Sequence, residues 1–109
     1  MNVKALLSYH NSMSTRARNI MRVKNRDYAG ATGETPFANF QLNELAKIST
    51  TEKGILTRML DKIMRLSTYA NSGKLLVKNE GTEDACLDII NYAVLLSAYI
   101  KFQKKEQHK

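Results

Sequence analysis

The chain has 109 residues, a formal net charge of +7, a hydrophobic fraction of 43% and one cysteine, Cys86. That length fits one domain, expected to span 1–109 as a single helical unit, and leaves no room for two; the apolar content excludes a disordered chain, and a lone cysteine excludes an internal disulfide framework. The opening MNVKALLSYHNSMS lacks the continuous apolar segment of a signal peptide, and no stretch approaches the ~18 consecutive apolar residues of a membrane span, so a cytoplasmic location without membrane contact is expected.

In chain order, Leu6, Tyr9 or His10, Met13, Ala17, Ile20 and Lys24 recur at three- and four-residue steps and predict a first helix over 3–26. This segment carries Lys4, Arg16, Arg18, Arg22, Lys24 and Arg26 and no acid. Such a block attracts polyanions; a solvated face that keeps the protein soluble would look the same. The segment from Ala29 to Pro36, with two glycines and the only proline, breaks the periodicity. Phe37, Phe40, Leu45 and Ile48 then predict a short helix over 37–48. Ile55, Met59, Ile63, Leu66 and Ala70 predict a third over 52–71, capped by Thr50 or Thr51. Asn71 to Lys74 is a second break, and Leu75-Leu76-Val77 reads either as a brief strand or as a loop pinned to the core. A fourth helix is expected over 82–104, with Thr82 as N-cap. Glu83 and Asp84 sit at its positive end, and Lys101, Lys104 and Lys105 at its negative end. The tail, about 104–109, should fray. The fold class is therefore all-α: a compact helical bundle of three long helices plus one short helix.

The chemistry concentrates on the last two helices. Asp84, Asp88 and Tyr92 fall at i, i+4 and i+8, on one stripe of the fourth helix. Two carboxylates one turn apart beside apolar surface need a cation, a metal ion or a shared proton. Arg58, Asp61, Lys62 and Arg65 form a stripe on the third helix, and antiparallel packing lets the two stripes face each other. The same geometry then has two readings. Asp84 and Asp88 make structural ion pairs with Arg58, Lys62 or Arg65; or Asp61, Asp84 and Asp88 hold a Mg²⁺ ion while the basic side chains meet phosphate oxygens. Near the first break, Lys24, Asp27 and Tyr28 precede Asn39, which lies between Phe37 and Phe40 and could read a base edge; the competing reading puts both rings, Phe40 above all, in the core. Cys86 on an apolar face reads as a small core residue, and neither a zinc site nor a Gly-rich phosphate loop is present.

Taken together, Lys24-Asn25-Arg26-Asp27-Tyr28, Phe37-Ala38-Asn39-Phe40, the run Gly54 to Leu66, Val77-Lys-Asn-Glu80, and Glu83-Asp84 through Asp88 to Tyr92 resemble the phage-associated nucleotide modification associated domain 1 family. The resemblance covers roughly residues 20–100. It implies a small helical protein of phages and prophages, in the host cytoplasm, linked to nucleotide or DNA-base modification. The pattern is also distantly similar to all-α nucleoside triphosphate pyrophosphohydrolases of the MazG type. Those hold Mg²⁺ with an E-x-x-E pair on one helix and an E-x-x-D pair on the next. Here Arg58 and Asp61 stand where the first pair would be, and Asp84 and Asp88 replace the second. That departure favours phosphate binding over hydrolysis.

The functional expectation is thus a nucleotide-handling protein. A nucleotide or its phosphates would be bound through Lys24, Asp27, Tyr28, Asn39, Arg58, Lys62, Arg65 and Tyr92. Any Mg-dependent phosphoryl chemistry would use Asp84 and Asp88. Alternatives are a non-catalytic binder that sequesters a nucleotide signal or docks on a host protein, and a basic DNA-binding protein. Apolar area on helices of this composition suggests a homo-oligomer.

Overall fold

The computed structural model describes residues 1–28, 35–74 and 81–104, with the side chains of residues 26–28 and 104 excepted. Within them the chain is helical with no strand: α1 (Val3–Tyr28), α2 (Ala38–Leu45), α3 (Thr51–Ser72) and α4 (Thr82–Ala98). A π-helical turn, Tyr99–Lys104, continues α4. Three long helices and one short one match the sequence expectation. The Leu75-Leu76-Val77 segment and the tail beyond 104 lie outside the described residues.

Local chemistry explains most of the boundaries. Thr50, in extended conformation, accepts the Lys53 N–H on its hydroxyl and caps α3. At the other end Gly73 adopts φ 74° and donates its N–H to the Tyr69 carbonyl; that left-handed geometry suits a residue without Cβ. The short helix ends earlier than predicted, at Leu45 instead of residue 48. Lys47 turns to φ 59°, and the amides of Ile48 and Ser49 both fall back on the Asn43 carbonyl. The fourth helix starts where expected, but Gly81, not Thr82, is its N-cap.

α3 and α4 form the main packed pair and run antiparallel. Lys62 meets Asp88, while Ile55, earlier on α3, joins Leu95 and Tyr99, later on α4. Phe37, Phe40, Ile55, Tyr92, Leu95 and Tyr99 make the larger core cluster, with Phe37 and Tyr99 edge-to-face at 5.4 Å. Met13 and Ala17 of α1 pack with Leu87 of α4 in a second cluster, which Cys86 borders. α1 lies parallel to α4. Tyr9 meets Glu83, and one step on, buried Asn91 donates from Nδ2 to the Ala17 carbonyl at 3.0 Å. α2 lies across the start of α3 because Gly54 offers no Cβ there; one added at that position would stand 3.4 Å from Asn43 and 3.6 Å from Phe40. Thr51 completes the joint by donating to Glu44.

The segment Thr82–Gln103 is long and apolar enough, by length and composition, to cross a membrane. In this fold about 33% of its apolar window is buried: Ala85, Leu87, Tyr92, Leu95 and Tyr99 pack against the other helices, while Val94, Ile100 and Phe102 stay exposed. Leu6, Ile63 and Ala70, by contrast, belong to the predicted apolar stripes yet stay exposed.

Candidate functional site

The basic and acidic stripes converge at one point, where α1, α3 and α4 meet. Asp88 projects from the middle of α4 with its side chain only 15% exposed. Lys62 of α3, equally buried, holds one carboxylate oxygen at 3.1 Å. Lys24, near the end of α1, approaches the other at 3.6 Å and remains half-exposed. Two ammonium groups from different helices thus approach the one carboxylate. A carboxylate held this far from water needs such partners, and removing them would leave it uncompensated.

The remaining predicted residues are distributed differently. Asp61 is exposed and pairs with Arg65 on its own helix at 3.1 Å. Asp84 is exposed at the start of α4, where its carboxylate accepts the Gly81 N–H at 3.1 Å. Since Gly81 has no side chain, this is only the reciprocal half of a capping box. The three acids proposed for Mg²⁺ therefore do not converge, and no group of three or more His, Cys, Asp or Glu able to hold a metal occurs among the described residues.

Arg58 lies over the Phe40 ring at 5.3 Å, a cation–π contact, instead of reaching Asp84 or Asp88. Tyr92 is 7% exposed within the core cluster, so the Asp84–Asp88–Tyr92 stripe runs from solvent to interior along one helix. Its ring serves packing and presents no face to a ligand. Phe37 and Phe40 are likewise core rings, at 4% and 0% exposure, which leaves Asn39 without a free aromatic on either side. Asp27 and Tyr28 close α1, and their side chains lie outside the described residues.

Two features escaped the sequence reading. The first is a groove of about 380 Å³ between the second half of α1 and the end of α4. Met21, Phe37, Leu95 and Ala98 line it with apolar surface, and Arg18 and Arg22 stand on the α1 side. The second is a clasp at the opposite end of the α1–α4 contact. Glu83 accepts from Arg16 at 2.6 Å and from the Tyr9 hydroxyl at 3.1 Å. The Arg16 hydrogen bond, and then the Tyr9 hydroxyl, hold the Glu83 carboxyl below its ordinary range. The bond to Glu83 likewise raises the Tyr9 and Arg16 values. Neither feature has a local spacing signature, since both need elements distant in sequence to be brought together.

No family model, no curated protein and no solved structure matches this chain.

Proposed function

We propose that the protein binds a nucleotide through its phosphates, without catalysing a reaction on it, at the junction where Lys24 and Lys62 flank Asp88. The observation that carries this reading is the geometry of that cluster: two lysines from different helices approach one carboxylate, and one of them, Lys24, reaches solvent. A phosphate group brings more negative charge than a carboxylate and oxygens for charge-assisted hydrogen bonds with both ammonium groups. Asp88 then acts as a placeholder that keeps the two lysines oriented until an anion arrives. The resemblance of the sequence to the nucleotide modification associated domain 1 family supports a nucleotide over an unrelated anion. The scattering of Asp61, Asp84 and Asp88 favours binding over Mg-dependent chemistry.

The placeholder model makes a test that a plain structural ion pair does not pass. Replacing Asp88 by Asn removes the competing charge, so nucleotide affinity should rise about three- to tenfold, roughly the 1 kcal/mol scale of a half-exposed charge interaction. Lys62→Ala should weaken it by a similar factor. Calorimetric titration with nucleoside mono- and triphosphates and with cyclic nucleotides, without added metal, reads both effects. If no nucleotide binds the wild type, or if Asp88→Asn binds no tighter, the proposal is wrong.

The groove beside α1 favours a second reading, in which single-stranded nucleic acid lies along α1. Arg18 and Arg22 are exposed there next to apolar surface, where their charges can meet a phosphate backbone. DNA affinity would then fall steeply with salt and be lost in Arg18→Ala/Arg22→Ala, with Asp88→Asn having no effect.

A further inference from the structure

α1 carries a hollow of about 360 Å³ beside the junction of Lys24, Asp88 and Lys62. Among the described residues it is lined by Asn19, Ile20, Val23 and Lys24, almost wholly through apolar atoms. Lys24 belongs to both places: its stem lines the hollow, and its ammonium approaches Asp88 at 3.6 Å. Ile20 is half-buried and packs against the Met13–Ala17–Leu87 cluster, so the core fixes this part of the lining. Val23 is 73% exposed, and every other exposed residue from 14 to 25 is polar or charged. An apolar spot thus sits on a polar stretch of α1, next to the solvent-reaching lysine of the junction.

We propose that this hollow is the base subsite of the nucleotide whose phosphate lies at the junction, and that it prefers purines. The inference rests on the phosphate-binding reading and names the part of the ligand which that reading leaves open. Contiguity selects the occupant. A nucleotide held by its phosphate at Lys24 carries its base one sugar away, and the hollow is the apolar surface that Lys24 itself borders. The chemistry of the lining agrees. A nucleobase has polar edges and two flat apolar faces. A surface nearly without donors and acceptors takes a face and leaves the edges in water, where they keep their hydrogen bonds.

The same lining sets the selectivity. Contact through a face does not read the groups that distinguish adenine from guanine, because those lie on the edges. It does reward apolar area removed from water, and a two-ring base offers more of it than a one-ring base. The site therefore separates purines from pyrimidines and is blind within each class.

Calorimetric titration of the full chain with the monophosphates of adenosine, guanosine, cytidine and uridine, and with inorganic phosphate as the control without a base, tests this. The two purine nucleotides should bind alike and several-fold tighter than the two pyrimidine nucleotides, with inorganic phosphate weakest. Val23→Ser should remove most of the purine preference and leave the affinity for inorganic phosphate unchanged, with an unaltered helical circular dichroism spectrum. The methyl signals of Ile20 and Val23 in the wild type give a second readout, which serves if the variant loses helicity. They should shift with adenosine monophosphate and not with inorganic phosphate. Equal binding of all five ligands, or of purine and pyrimidine nucleotides, overturns the base subsite and leaves the phosphate reading standing. No binding of any of the five overturns both. A purine preference that survives in a folded Val23→Ser chain, or methyl signals that ignore the nucleotide, places the base elsewhere and overturns the proposal.

Discussion

Asn91 interrupts the apolar run of α4 and yet is 7% exposed. Its Nδ2 donates to the Ala17 carbonyl, an oxygen on a different helix, so one hydrogen bond fixes how far along α4 the first helix sits. A buried amide needs such a partner, and the bond contributes more to choosing one alignment than to net stability. Asn91→Ala removes the bond and opens a small void between α1 and α4. The expected cost is about 1–3 kcal/mol, read as a lower urea midpoint with an unchanged slope. Loss below about 0.3 kcal/mol would mean that the alignment of α1 is set elsewhere, by Met13, Ala17 and Leu87 alone. Asp88 differs in kind from Asn91. Its partners are two side-chain cations, one of them half-exposed, and on the proposed reading an arriving anion replaces it, whereas Asn91 is held by a backbone carbonyl in the interior.

At the scale of elements, Asp84 shows why a carboxylate in a first helical turn is ambiguous in a sequence. The same residue suits a helix cap, a metal ligand or a catalytic base. Here it accepts the Gly81 amide hydrogen and faces solvent. Asp84→Ala should cost about 0.5–2 kcal/mol, the usual worth of a terminal acceptor, while Asp84→Asn keeps the acceptor and should cost less; thermal unfolding of the two variants separates these outcomes. Equal losses would assign the effect to charge instead of to the hydrogen bond. Helix positions were legible because apolar spacing and punctuation are local: Thr50 and Gly73 mark both ends of α3 as their chemistry dictates. The end of α2 was not, since a lysine, Lys47, takes the left-handed conformation there and carries no mark of it. The Lys62–Asp88 pair was legible from the two stripes, but Arg58 was drawn instead to the Phe40 ring, a contact that depends on where α2 lies. Periodicity also assigns Ile63 to an apolar face without saying whether that face meets this chain or another.

For the whole molecule, the first helix is attached at two ends by different physics. From Met13 onward it is held by the Met13–Ala17–Leu87 cluster, Asn91 and the Lys24–Asp88 approach. Its first half carries exposed Val3, Leu6 and Leu7 and is fastened by the Glu83 clasp. Such an end opens more easily than the α3–α4 core. The clasp also makes that opening depend on acid. Glu83 is held below its ordinary value of 4.5, first by Arg16 and then by Tyr9. A depressed carboxyl adds stability that is fully present above the unfolded value and is lost as pH falls through the folded one. Between neutrality and pH 5 the clasp should hold. Below about pH 4 the first half of α1 should exchange its amide hydrogens faster, corrected for intrinsic rates, ahead of α3 and the middle of α4. Glu83→Gln should exchange fast at neutral pH and lose this acid step, because a neutral amide neither titrates nor attracts Arg16 with a full charge. An acid step that persists in Glu83→Gln would place the switch outside the clasp.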